Sequence, residues 1–216
     1  MPVLDEAAGI ADALDALASL RDKGAEVIVI DGGSGDGTPA LCEGRCDGVL
    51  HAPRGRARQM NAGAAAARGD ALVFLHVDTR LPEGALSAIE RALAHAAWGR
   101  FDVAISGRSR VFPLIAALMN RRSALTGIAT GDQAMFVRRD VFGAVGGFPD
   151  QPLMEDIELS RRLRKCGRPA RIALRVVTSG RRWERFGVWR TIVLMWRLRL
   201  LYWLGTPAHE LAKLYR

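Results

Sequence analysis

The chain has 216 residues, 49% of them apolar and 25% charged, which suits one domain with a sizeable core. Its three cysteines, Cys42, Cys46 and Cys166, form an odd set without metal-finger spacing, and this argues against a disulfide framework and for a reduced, cytoplasmic compartment. The net charge of +8 and a pI near 10.4 imply attraction to phosphates, whether on a nucleotide, a nucleic acid or an anionic membrane surface.

The opening, Met1 to Glu6, has neither a basic leader nor a long apolar core, so no secretory signal is expected. Asp5 and Glu6 are read as opening a helix in which Ile10, Leu14, Leu17 and Leu20 recur at helical spacing, with Gly24 as its stop. Glu26 to Ile30 reads as a β-branched strand ending at Asp31. A glycine-rich loop, Gly32 to Gly37, follows, and Thr38-Pro39 reads as an N-cap and first helical residue. Val49 to His51 is a second short strand. Arg54, Arg56 and Arg58 come next in a loop at the start of an alanine-rich helix running from Asn61 to Ala67.

The stretch Ala71 to Arg80 reads as a buried strand at the centre of a parallel sheet, running into Asp78, with Pro82 opening the next helix. That helix extends to about His95, and a strand follows around Phe101 to Ser106, which completes a βαβα pattern. Beyond it we expect helices over Phe112 to Asn120, Arg139 to Ala144 and Glu155 to Lys165, and strands over Ala134 to Val137 and Ile172 to Val177. From Val188 onward the chain is an aromatic and arginine-rich helical region. Arg190, Arg197 and Arg199 interrupt it, so it does not read as a membrane span.

The chemistry-bearing residues are mostly carboxylates. Asp31 and Asp78 end two strands, and a parallel sheet brings strand ends to one rim, where ligands of open α/β folds bind. Mg²⁺ and Mn²⁺ prefer oxygen ligands, commonly one or two carboxylates plus substrate phosphates. Both aspartates also suit plain loop and helix capping. Arg54, Arg56 and Arg58 gather guanidinium groups at a helix N-terminus, which suits phosphate, although a solvated basic face has the same pattern. No aromatic residue is interleaved with them to stack bases, which weighs against nucleic acid. Asp132 follows a turn at Gly131. Glu155 and Asp156 open a helix, either as dipole partners or as a base facing the sheet rim. His76, two residues before Asp78, is either a packed histidine or a third polar group there. The Gly32 to Gly37 loop has neither the lysine of a P-loop nor a dinucleotide fingerprint in register.

These residues carry a family resemblance. Val27 to Thr38, reading VIVIDGGSGDGT, resembles the first nucleotide-binding motif of family 2 glycosyltransferases. Pro2 to Glu6, Arg58 to Gly63, Leu75 to Thr79, Gly131-Asp132-Gln133, Gly146-Gly147-Phe148, Glu155-Asp156 and Arg182-Trp183 fall in the family's order over nearly the whole chain. Within the family, Gly55 to Gly63, His76 to Arg80 and Gly131 to Gln133 look most like the radical-SAM/selenodomain-associated transferase 2 subgroup.

The resemblance implies an α/β, GT-A fold: a mostly parallel central sheet flanked by helices, in a single domain spanning 1–216. Residues 1–100 would form the nucleotide-sugar half, 101–187 the acceptor and catalytic half, and 188–216 a C-terminal amphipathic region. It implies an inverting hexosyltransferase with a UDP- or GDP-sugar donor and a divalent cation, Mg²⁺ or Mn²⁺. Asp31, Gly33, Ser34, Arg56, Arg58, Asn61, Asp78 and Asp132 would line the donor site, and Asp78, with His76, would hold the metal. Asp156, beside Glu155, would be the base, and Arg182 and Trp183 would meet the acceptor.

Three departures stand out. Gly32 replaces the usual second aspartate of the first motif, His76 replaces the first aspartate of D-x-D, and the strand that precedes Pro2 in the family is absent. The last leads us to expect a strand upstream of Met1 in the native chain and unpaired strand edges without it. Two alternatives stay open: transfer to a polyprenyl phosphate at the membrane surface, and a nucleotide-sugar or phosphate-binding module without catalysis. Val188, Trp189, Ile192, Trp196, Leu200 and Trp203, with neighbouring arginines, resemble an interfacial helix, so peripheral attachment at the inner face of the membrane is a candidate localisation. The acceptor and oligomeric state are left open.

Overall fold

The computed structural model describes residues 1–215; Arg216, the end of the expected C-terminal region, lies outside them. The fold is α/β, with a parallel sheet flanked by helices. Strands β1 (Pro2–Val3), β2 (Ile28–Asp31) and β3 (Gly48–His51) pair in parallel, in that order. A second sheet has the order β4 (Ala71–Val73), β7 (Phe136–Arg138), β6 (Trp98–Ser106), β8 (Ala170–Ser179), β5 (Thr79–Arg80). Within it β6 and β8 are parallel, and the remaining pairs are antiparallel.

Helices α1 (Ile10–Asp15), α2 (Ala18–Arg21), α3 (Thr38–Cys42) and α4 (Arg56–Ala66) belong to the first half. The expected helix from Asp5 starts later and is broken in two: Asp5 takes a left-handed φ of 52°, and its carboxylate accepts from the Gly35 N–H at 2.9 Å instead of capping a helix. The helix at Thr38 starts one residue early, with Gly37 rather than Thr38 as its cap. Arg56 and Arg58 are not in a loop. They occupy the first turn of α4, whose burial of Ala57, Gln59 and Met60 extends the helix back beyond Asn61.

The expected strand from Ala71 to Arg80 is interrupted. It pairs only through Val73, and then the Phe74 N–H donates to Met135 O at 2.9 Å. His76 to Thr79 forms a turn, closed by the Thr79 N–H on His76 O at 3.1 Å, before the chain pairs again as β5. Moreover β4 is an edge of its sheet, antiparallel to β7. The following helix, α5 (Ala85–Leu93), starts three residues after Pro82 because Gly84, at φ 74°, caps it.

Helices α6 (Phe112–Thr126), α7 (Arg139–Ala144) and α8 (Glu155–Leu163) follow, and then α9 (Arg181–Phe186), α10 (Val188–Trp203) and α11 (Ala208–Leu214). Two apolar clusters pack the larger sheet. Phe74, Phe142 and Phe148 form an aromatic knot in one, with Phe74 edge-on to Phe148 at 4.8 Å. Phe101, Phe136 and Val176 centre the other. All three cysteines are free thiols.

The two sheets do not join. Between them lies an apolar cleft of about 630 Å³, lined by Met1, Ile28 and Ile30 from one side and Leu72, Phe74 and Ile89 from the other. The Met1 amine donates to Ile28 O at 2.8 Å, and burial pushes its pKa down to about 5.

Candidate functional site

The site is built from the carboxyl end of β2, from the turns that precede β5 and β7, and from the first turn of α8. Asp31 closes β2 and is almost fully buried. Its carboxylate accepts from the N–H of Gly33 at 3.0 Å and of Ser34 at 3.1 Å and from the Ser34 hydroxyl, and His51 Nδ1 lies 3.2 Å away. Burial alone would raise its pKa, but these donors outweigh it and hold the group below the usual carboxylate range. Asp31 thus shapes the Gly33-Ser34 loop. That loop is latched to the chain start: the Ser34 hydroxyl accepts from the Asp5 N–H, the Thr38 hydroxyl from the Glu6 N–H, and Asp36 from the Ala7 N–H, each at 2.9 Å.

Position 32 has a steric reason to be glycine. A Cβ there would meet the Gln59 side-chain amide at 3.1 Å. Gln59 is buried on α4, and its Nε2 donates to both Val3 O and Ile30 O at 2.8 Å, which ties α4 to β1 and β2.

Asp78 is half-exposed in the turn before β5, and its backbone carbonyl accepts from the Ser179 N–H at 3.1 Å. The next carboxylate, Asp132, sits in a 3-10 turn, Gly131–Gln133, just before β7. The enclosure of the site, and then the charges of Asp78 and Asp156, push the Asp132 pKa up to about 6 against the pull of Arg56 and Arg122. Asp132 stays open to water on one side, which tempers that push.

Glu155 and Asp156 form the first turn of α8, as expected. The Asp156 carboxylate accepts from the Gly131 N–H at 2.9 Å and from the Ile157 N–H at 2.7 Å, so the α8 start and the Asp132 turn are locked together. Burial raises the Asp156 pKa despite those donors. Glu155, 6% exposed, is pushed up to about 7 by burial and by the Asp156 charge. His76 lies beneath the same turn: a Cβ at Gly131 would come within 2.3 Å of its Nε2. Burial, and then the Arg56 charge, drive the His76 pKa down to about 3, so the imidazole is neutral.

Among the arginines, Arg56 faces this cluster. Enclosure works against its charge, but Glu155, Asp132 and Asp156 hold it firmly protonated. Arg58 points elsewhere: its Nε and Nη2 form a two-pronged ion pair with Asp150 at 2.8 and 2.9 Å. Asn61 exchanges two hydrogen bonds with the Phe148 backbone, at 2.8 and 2.9 Å, and so clamps α4 to the Gly146-Gly147-Phe148 turn. Arg182 donates to Tyr215 O at 3.1 Å and stacks on the Tyr215 ring at 3.9 Å, and Trp183 is half-buried beside it. The structure therefore gathers Asp78, Asp132, Glu155, Asp156, Arg56 and His76. Arg58, Asn61 and Arg182 are engaged with protein partners.

The sequence analysis left two groups near the cluster without a role. The Glu6 carboxyl is raised by burial and by Asp78 against the pull of Arg181 and Arg56, which sets the Pro2 to Glu6 segment near the same rim. Arg122, on α6, is drawn by the charges of Asp156 and Asp132, and its buried Nε and Nη2 have no hydrogen-bond partner among the described residues. Glu6 was visible as a motif member, whereas nothing in the α6 sequence marks Arg122.

Among the described residues, no group of three or more His, Cys, Asp or Glu side chains makes a ready-made metal cage. The donor set still fits a hard divalent cation. Asp78 and Asp132 offer carboxylate oxygens, and the crowding that raises Asp132 is what a cation would relieve.

Residues 1–145 match the family model described as glycosyl transferase family 2. The chain belongs to that family. Among solved structures it is similar to a mannosyltransferase of Pyrobaculum calidifontis in complex with GDP-Man and Mn²⁺, at 25% identity over 82% of this chain and 54% of that one, TM-score 0.60. It is similar in fold to glucosyl-3-phosphoglycerate synthase of Mycobacterium tuberculosis in complex with Mn²⁺, UDP and glucosyl-3-phosphoglycerate, at 20% identity over 95% of this chain and 78% of that one, TM-score 0.62. TarS of S. aureus in complex with UDP-GlcNAc shares the fold at 15% identity, covering 82% of this chain and 56% of that one, TM-score 0.65. This chain spans little more than half of the mannosyltransferase and TarS chains. No curated protein matches it. The GT-A architecture and a family 2 glycosyltransferase domain are thereby shown.

Proposed function

We propose that the chain is a metal-dependent, inverting glycosyltransferase that moves a hexose from a UDP- or GDP-sugar to an acceptor hydroxyl. The observation that carries the reading is the carboxylate rim. Asp78 is half-exposed beside Asp132, and Asp156 is aimed by the Gly131 N–H at the start of α8. Asp78, with Asp132 adjacent, would hold a divalent cation, Mg²⁺ or Mn²⁺. When bound, such an ion neutralises charge on the departing diphosphate.

The remaining work belongs to side chains. Arg56, kept charged by its acidic neighbours, meets a phosphate where negative charge develops. Asp156, with its pKa raised by burial, accepts the acceptor hydroxyl proton as the new glycosidic bond forms. Asp31 keeps the Gly33-Ser34 loop in shape for the nucleoside, and neutral His76 props the turn that presents Asp132. Attack opposite the leaving diphosphate inverts the anomeric centre. In this reading residues 1–100 bind the donor and 101–187 the acceptor, and the finer resemblance is to the radical-SAM/selenodomain-associated transferase 2 subgroup.

The test is isothermal titration of UDP, GDP and their sugars with Mn²⁺ or with EDTA, on the wild type and on Asp78→Ala. Binding should require both the cation and Asp78, with affinity falling about 100-fold when either is removed. Cation-independent binding, unaltered in Asp78→Ala, would sink the metal assignment. Absence of any nucleotide binding by folded protein would sink the transferase reading. A second reading, with a polyprenyl phosphate as acceptor, is supported by the solvent-facing tryptophans of α10.

A further inference from the structure

Helix α10 is oriented with apolar residues on both faces. Its inner side, with Thr191 and Leu198 buried and Leu194, Met195, Leu201 and Tyr202 beside them, packs on Leu153, Met154 and Leu211. Its outer side carries Trp189, Val193, Trp196, Leu200 and Trp203 at alternating steps of four and three, which is one continuous stripe of a helix. These five side chains are 71, 65, 69, 57 and 72% exposed. Sixteen residues make the stripe about 24 Å long. An aligned apolar surface of this extent on a soluble face marks a docking site, unlike scattered single exposures.

Composition and charge select the occupant. Three of the five are tryptophans, whose amphipathic rings favour the headgroup region of a bilayer. The chain from Arg185 to His209 contains four arginines and no carboxylate. Arg185, Arg190 and Arg197 are exposed, the last two on α10 itself, where long side chains can reach headgroup phosphates while the stripe sinks in. A partner protein matched to this face would have to supply acidic groups around an apolar groove, whereas an anionic leaflet supplies both over its whole area.

We propose that α10 docks the protein flat on an anionic phospholipid surface, with Trp189, Trp196 and Trp203 inserted to the level of the headgroups. No helix among the described residues is long and apolar enough to cross a membrane, so the attachment is interfacial. The inference rests on the surface alone and stands apart from the transferase reading.

The experiment is vesicle flotation of the full chain, with tryptophan fluorescence, on phosphatidylcholine vesicles with and without phosphatidylglycerol. Binding is expected on the anionic vesicles, with a blue-shifted emission and weakening as salt rises. Arg190→Glu with Arg197→Glu should weaken it at least about ten-fold. The triple variant Trp189→Ser, Trp196→Ser, Trp203→Ser should abolish it while keeping its melting temperature, since all three side chains face water. The proposal is overturned if the wild type floats with neither vesicle, or if the tryptophan variant floats as well as the wild type. It is equally overturned if sedimentation finds a dimer that the tryptophan variant dissolves and no vesicle binding, because the stripe is then an interface between two copies.

Discussion

Glu155 and Asp156 are neighbours in sequence with different environments. Asp156 has two backbone N–H donors, and Glu155 is buried next to its charge and is pushed up to about 7. An acid whose folded pKa lies above its unfolded value of 4.5 contributes stability that is complete below that value and is lost as pH rises through about 7. Between about pH 5 and about pH 8 Glu155 therefore contributes a fall in melting temperature as pH rises, against the opposite trend from the Met1 amine, and Glu155→Gln should remove that contribution and make the slope more positive. A calorimetric pH series on both proteins checks this; parallel slopes would mean that Glu155 is not the group responsible. At this scale the sequence was informative where a carboxylate follows a strand or opens a helix, as at Asp31, Asp78 and Asp156. It was silent on which arginine faces the acids. Arg56 and Arg58 lie two residues apart on α4, and only Asp150, remote in sequence, draws Arg58 away.

Among elements, β6 carries the most buried charge. Arg100 is 1% exposed and pairs with Asp102, whose carboxylate also accepts from Arg171 at 2.7 Å. Burial would raise the Asp102 pKa, but its two arginine partners lower it overall. Arg100 further donates to Asn120 O at 3.2 Å, and the Asn120 amide bridges the Val103 backbone, so the network ties α6 to β6 beside the register shift at Phe101/Asp102. Asp102→Asn strands the Arg100 charge and should cost about 3–5 kcal/mol of unfolding free energy. Arg171→Ala should cost less than about 1 kcal/mol, because that partner is more than half exposed. Urea unfolding of both variants decides the order, and equal losses would refute the buried-pair account. The order of strands and helices was legible from periodicity, but element limits were not. The apolar run from Ala71 to Val77 reads as one strand until the partner is known, and β7 pairs with only its first three residues. Burial in the core accounts for the rest of the run, with Phe74 seated against Phe142 and Phe148.

For the whole molecule, the informative feature is the gap between the sheets. Motif order alone pointed to the family. What the sequence did not contain is how the fold responds: β1 has two residues paired to β2, and the cleft beyond Met1 stays open between β2 and β4. Its walls are apolar side chains and the facing edges of two strands, which is the environment of a strand inside a sheet. The amine of Met1 lines it, where burial disfavours the charged form. Appending about six apolar, β-branched residues ahead of Met1, the length of one ordinary strand, would replace that amine with an amide and give both edges a partner. Melting temperature should then rise by about 5 °C or more, since about 2 kcal/mol suffices for that shift in a chain of this size. An extension of the same length made of glycine and serine controls for the loss of the amine. A gain confined to the apolar extension identifies the cleft as a strand slot. An equal gain from both would assign the effect to the amine, and no gain from either would show that the two sheets do not need the seam filled.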